Sequence, residues 1–259
     1  MNPALPLLAI SSLGYLTAGA GIQRGIYLKS QKSFPRWRKL LWLTFALHTV
    51  ALVVYSVTSG HLPINNLRET FAPLAWFIML LYLILGERWS VEVTGAVAAP
   101  AAFAMTAFSV FALWQKHGTT EAGPGLYIHV LAIILGFASF FLASFCAILY
   151  FVQAKLLKEK QIDGIFRALP PLGTLDLVAY RLVWAGFPAL VIGITSGLFI
   201  QGGQWHWGTQ EIVVVATSIF YTIYLHARVA GWQGKRLNSI LLVASLFAIA
   251  SFLLPGGHQ

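Results

Sequence analysis

A chain of 259 residues that is 58% hydrophobic and only 10% charged is not a water-soluble domain, for which about 25% charge is usual. Its formal charge of +9 is not a nucleic-acid signature, because the basic residues lie in short stretches between apolar runs, where they orient membrane segments. The single cysteine, Cys146, lies inside an apolar run, which excludes a disulfide framework, a CxxC pair and a CxxCH site for covalent haem.

Apolar segments follow in order at 3–22, 40–59, 71–86, 91–114, 126–153, 182–201, 210–227 and 237–254. A spanning helix needs about 20 apolar residues, so the expected fold is an all-α polytopic bundle of eight transmembrane helices in one integral membrane domain, 1–259. The first run lacks a basic leader region and reads as a retained helix rather than a cleaved signal. The odd connections hold 15 basic residues and the even ones only Arg68 and Lys116. That asymmetry puts the odd loops in the cytoplasm and both termini outside. The longest connection, 154–181, carries Asp163–Gly164 and Leu169–Pro170–Pro171, which mark a turn and a stop. The piece before Pro170 is expected to lie as an interfacial helix. In the sixth segment Gly193-x-x-x-Gly197 fits a close helix contact, and Pro100 and Pro188 are expected to kink their helices.

Against this apolar background four histidines stand at two depths. His48 and His226 fall in the cytoplasmic halves of the second and seventh segments. His129 and His258 fall at the external boundary. Two imidazoles satisfy a six-coordinate haem iron, so the pairs suggest one iron held inside and one outside. Counted at the helical rise, His48 is about 12 Å deep and His226 about 5 Å, a difference that pairing them must close. A histidine hydrogen-bonded between helices is the competing reading for His48, and an interfacial one for His226. His61, His117 and His206 are further external candidates. Trp205 and Trp207 flank His206 in a glycine-rich loop. They read either as a membrane-boundary belt or as a flat shelf for a porphyrin. Glu92 and Glu211 form no carboxylate pair with a neighbour, and no phosphate loop, HExxH or nucleophile elbow occurs.

The runs His129-Val-Leu-Ala, Tyr180-Arg-Leu-Val-Trp-Ala-Gly-Phe-Pro, Tyr224-Leu-His-Ala-Arg and Gly231-Trp-Gln-Gly-Lys resemble the membrane domain of the CcsA/CcmC cytochrome c assembly proteins. They occur in that family's order over about 126–258, and the eight-segment size resembles the HemX-like members. The resemblance implies non-covalent haem b at one or two sites. It implies His129 and His258 as external ligands, His226 as a membrane-embedded one, and Trp205 and Trp207 beside the outer haem; His48 is matched to His226 by depth and not by motif. The family signature Trp-Gly-x-x-Trp-x-Trp-Asp is incomplete here. Its first Trp-Gly pair is missing and Gly208 stands where Asp is expected, so haem handling is implied rather than full cytochrome c ligase activity. The implied location is the bacterial cytoplasmic (inner) membrane. The implied partners are lipid, haem, and an apocytochrome or assembly protein outside. The alternative is a HemX-like regulator acting on a cytoplasmic enzyme of haem synthesis. A quinol-driven cytochrome b ranks lower, since its haems are commonly stacked between two helices carrying two histidines each. A haem-free channel is the remaining reading.

Overall fold

The computed structural model describes residues 2–28, 34–64, 67–89, 92–114, 123–161, 165–204 and 207–254. Among them every regular element is helical. The helices are α1 (Ala4–Tyr27), α2 (Phe34–Ser59), α3 (Leu67–Trp89), α4 (Gly95–Trp114), α5 (Pro124–Lys158), α6 (Ile165–Ala168), α7 (Leu172–Ile200), α8 (Thr209–Val229) and α9 (Lys235–Leu253). A membrane offers backbone groups no water, so intrahelical hydrogen bonding satisfies them instead. Seven of these helices are long and apolar enough to cross a membrane; the apolar stretch of α4, Gly95–Phe111, is shorter.

Each predicted apolar segment falls on one helix, but the boundaries differ. α7 begins ten residues before the predicted sixth segment. Its first turns carry Asp176, Tyr180 and Arg181, which depress hydropathy without breaking the helix. α5 runs 35 residues, about 52 Å at helical rise, and takes up the start of the connection expected at 154–181. Of the piece before Pro170, the residues to Lys158 continue α5 and Ile165–Ala168 form the separate four-residue α6. α6 ends at Ala168, directly before Leu169–Pro170–Pro171 as that run predicts, and Pro171 also caps the start of α7, where a missing N–H costs nothing.

The chain forms two compact units, 1–123 with 162–170, and 124–161 with 171–259. In the first, α1 packs on α2 and α4, and α3 packs on α4. The contacts are close because glycines on α1 face bulky neighbours: Gly14 meets Thr44, Gly19 meets Pro100 and Gly21 meets Trp37. Phe45 stacks on Trp76 at 5.2 Å, and the Trp76 indole N–H donates to Thr49 Oγ1 at 2.8 Å.

The second unit is built on α5 and α7, with α8 and α9 beside them. Gly136 and Gly186 face each other across the α5–α7 seam. A Cβ on Gly186 would stand 2.7 Å from Ser139 Cβ and 3.3 Å from the Gly136 carbonyl oxygen. Phe140 of α5 stacks face to face on Tyr221 of α8, centroids 3.7 Å apart. Gly186→Ala is therefore expected to lower the thermal midpoint of the detergent-purified protein, with an overpacking cost of about 1–3 kcal/mol. Gly173→Ala, whose Cβ would meet nothing within 4 Å, is the control. Equal midpoints for the two variants would contradict the close α5–α7 seam.

Candidate functional site

His129 lies in the second turn of α5 and faces α7. Its Nδ1 is 2.7 Å from the Gly193 carbonyl oxygen. A carbonyl only accepts, so Nδ1 carries the proton and Nε2 is left with its lone pair. That is the tautomer a metal-ligating imidazole needs. The space for the ring is made by Gly197, one turn further along α7, where a Cβ would stand 2.7 Å from His129 Cε1 and 2.8 Å from Nδ1. Gly193 likewise accommodates Ile133. The Gly193-x-x-x-Gly197 pattern is thus a close helix contact that also seats a histidine.

His226 sits in the last turn of α8 and is exposed. Its Nδ1 is 3.0 Å from the Thr222 carbonyl oxygen, so the same reasoning puts the proton of the neutral ring on Nδ1 and the lone pair on Nε2. The ring lines an apolar hollow of about 550 Å³ with Thr222, Ala227, Ala230, Trp232 and Ile240. A second hollow of about 400 Å³ shares Thr222 and Ile223 and reaches Val191 and Thr195 of α7. Together they form a groove along the open face of α8.

His48 belongs to the first unit. It is 0% exposed, and its Nδ1 is 3.2 Å from the Tyr15 hydroxyl, itself fully buried. Nε2 is enclosed with no hydrogen-bond partner, a state that costs about 1–3 kcal/mol. The competing reading of His48, an interhelical hydrogen bond, is therefore realised at Nδ1, while Nε2 remains an unmet polar atom. His226 belongs to the second unit.

Trp207 is 71% exposed and directly precedes Gly208, the cap residue of α8. The Glu211 carboxylate folds back over Gly208, so that a Cβ there would stand 2.5 Å from Oε2. A side chain at 208 would need the Glu211 carboxylate to move aside. Glu211 takes the favourable place of an acid in the first turn of a helix. His61 Nδ1 is bonded to the Leu62 carbonyl at 2.9 Å. Trp205, His206, His117 and His258 lie outside the described residues. No group of three or more His, Cys, Asp or Glu converges among the described residues; an iron with two imidazoles does not require one.

One cluster escaped the sequence reading. Asp176 of α7 pairs with Arg228 of α8 and with Asn238 of α9. A lone acid inside an apolar run was the available signal; partners 52 and 62 residues away left no local pattern.

Gly197→Ala is expected to push the His129 ring off the Gly193 carbonyl. Nitrogen-15 NMR of histidine-labelled protein would then show the single Nδ1–H tautomer giving way to a mixture. An unchanged tautomer in Gly197→Ala would contradict the seat described for the ring.

Comparison with known proteins places these features. The family described as cytochrome C assembly protein matches residues 64–254, which takes in α3 to α9, His129, His226 and the groove. The chain is 30% identical to the cytochrome c biogenesis protein CcsA of Chlamydomonas reinhardtii over 83% of its own length and 64% of that relative's. It is 30% identical to the protein of the same name from Chlorella vulgaris over 73% of its length and 72% of the relative's. For Synechococcus sp. (strain CC9605) the figures are 29%, 86% and 84%. The chain thus spans less than two thirds of the Chlamydomonas relative. With most of its length matched in this way, the chain belongs to the cytochrome c assembly protein family.

Proposed function

We propose that this chain is a haem-handling protein of cytochrome c assembly, taking haem at the inner leaflet of the bacterial cytoplasmic membrane and presenting or transferring it at the outer face. The observation that carries the reading is the His129 imidazole, whose Nδ1–H is held by the Gly193 carbonyl at 2.7 Å so that Nε2 is the available donor. His226 repeats the arrangement with Thr222 at 3.0 Å, beside a hollow of about 550 Å³ with apolar walls suited to a porphyrin. The enclosed Nε2 of His48 is a polar atom that a ligand bond would satisfy. The residues thus fit haem b bound without a covalent link. His129 and His258 are assigned to the outer station with Trp205 and Trp207 beside it, and His48 and His226 to inner ligation. The relatives' name, cytochrome c biogenesis protein, supports the same pathway, with an apocytochrome or assembly protein as the outer acceptor.

Eight spans with both termini outside complete the proposal, α4 counting as the fourth. The basic odd loops support that orientation. Bound haem would be held by these imidazoles and would supply an iron centre whose electronic state they tune. The chain's own part is to fix each tautomer, to keep water from the apolar groove, and to offer Nε2 at defined places.

Visible spectra of detergent-purified protein test this. Wild type is expected to show a Soret band and, on reduction, sharp α and β bands. The double changes His129→Ala/His258→Ala and His48→Ala/His226→Ala should each remove a separate part. A colourless wild type that takes up no added haemin would sink the proposal.

A further inference from the structure

Arg228 follows His226 by two residues, about 200° around the helix, so the two side chains leave opposite sides of α8. His226 lies on the groove side. Arg228 turns inward, and its Nη1 donates to Asp176 Oδ2 at 2.5 Å. Asp176 Oδ1 accepts from Asn238 Nδ2 at 2.8 Å, and the same Nδ2 donates to the Gly234 carbonyl at 3.0 Å. The Arg228 guanidinium also lies 5.2 Å from the centre of the Tyr180 ring. One carboxylate of α7 therefore gathers the last turn of α8 and the first turn of α9.

α8 packs along α9, where its Phe220 stacks on Phe247 at 4.8 Å. Its buried residues are Thr217, Tyr221 and Tyr224, and Arg228 continues their helical spacing. The Phe140–Tyr221 stack fixes the middle of the helix, and the Asp176 pair fixes its end. A buried ion pair adds little net stability, because desolvation offsets the attraction. Its yield is geometric: slipping α8 by one residue turns the ring by about 100°.

We infer that Asp176 is a positioning residue for His226. By holding Arg228 and Asn238, its carboxylate sets the rotation of the last α8 turn that keeps the imidazole in the groove. The inference rests on His226 being a haem ligand, as proposed above.

The test uses Asp176→Leu/Arg228→Met, which removes both charges together and strands neither. The single change Asp176→Asn, which leaves the half-buried Arg228 charge without its carboxylate, is the variant expected to lose stability. All are made in a His129→Ala background, so that the inner station alone reports. Three quantities are read: the thermal midpoint without haem, haemin affinity, and the ferric spin state with and without added imidazole. The double variant should keep its midpoint within a few degrees and lose about tenfold in haemin affinity, as outer-shell changes at metal-ligating histidines do. Its spectrum should shift towards high spin and return to low spin when imidazole is added. Parental affinity and a parental spectrum in the double variant would overturn the positioning role. An affinity loss matched by a collapse of the midpoint, with no recovery by imidazole, would overturn it in favour of a structural one. A His129→Ala parent that binds no haemin would overturn the ligand role of His226 itself, a failure visible before any Asp176 variant is made.

Discussion

Gly136, Gly186, Gly193 and Gly197 withdraw side chains from the seam between α5 and α7, and much of the second unit follows from that. In a membrane, apolar side chains gain nothing by leaving lipid for one another, so helices associate through close backbone packing and interhelical hydrogen bonds. Here the two are joined at one place. The Gly193 carbonyl is reachable from His129 because α7 presents no side chain at 193 or 197. The carbonyl in turn fixes which nitrogen of His129 carries the proton. A packing motif thereby becomes a chemical one, at no cost in additional polar residues.

α8 obeys the same economy from the other side. Its buried residues lie along one seam and leave a continuous apolar face that carries His226. The imidazole satisfies its own N–H on the Thr222 carbonyl of its own helix, so it needs no partner from elsewhere. His48 stands in contrast. It is wholly enclosed in the first unit, with Tyr15 on one nitrogen and nothing on the other. Two histidines assigned from the sequence to the same side of the membrane therefore occupy different environments, one lining an open groove and one shut within a core. The closed ring is reached only if its surroundings part, whereas the ring in the groove is accessible as it stands.

The apolar segments were legible in the sequence because hydropathy and helix length are local properties. The helix ends were less so. The start of α7 was placed at 182 because Asp176, Tyr180 and Arg181 lower the local hydropathy, although Asp176 is neutralised by Arg228 across the bundle. The Pro170–Pro171 pair marks the end of α6 as a stop signal should, and Pro171 also opens the next helix, a role a stop signal alone does not reveal. His129 and His226 were legible as candidates from their places in the chain. Their tautomers were not, since the deciding carbonyl of His129 lies 64 residues away. At Gly208, where the sequence departs from the family's tryptophan-rich signature, the Glu211 carboxylate lies over the backbone. His258 and Trp205 fall outside the described residues, so their part in the outer station rests on the family resemblance.

The most direct measurement counts histidine nitrogens on the iron. Pulsed EPR of ferric haem in protein labelled with nitrogen-15 histidine reads each coordinated imidazole through its hyperfine coupling. Two labelled nitrogens per iron, with one lost from the outer haem in His129→Ala, is the predicted result. Haem that shows no labelled nitrogen, or a wild-type pattern after His129→Ala, would contradict the assignment of His129 as a ligand.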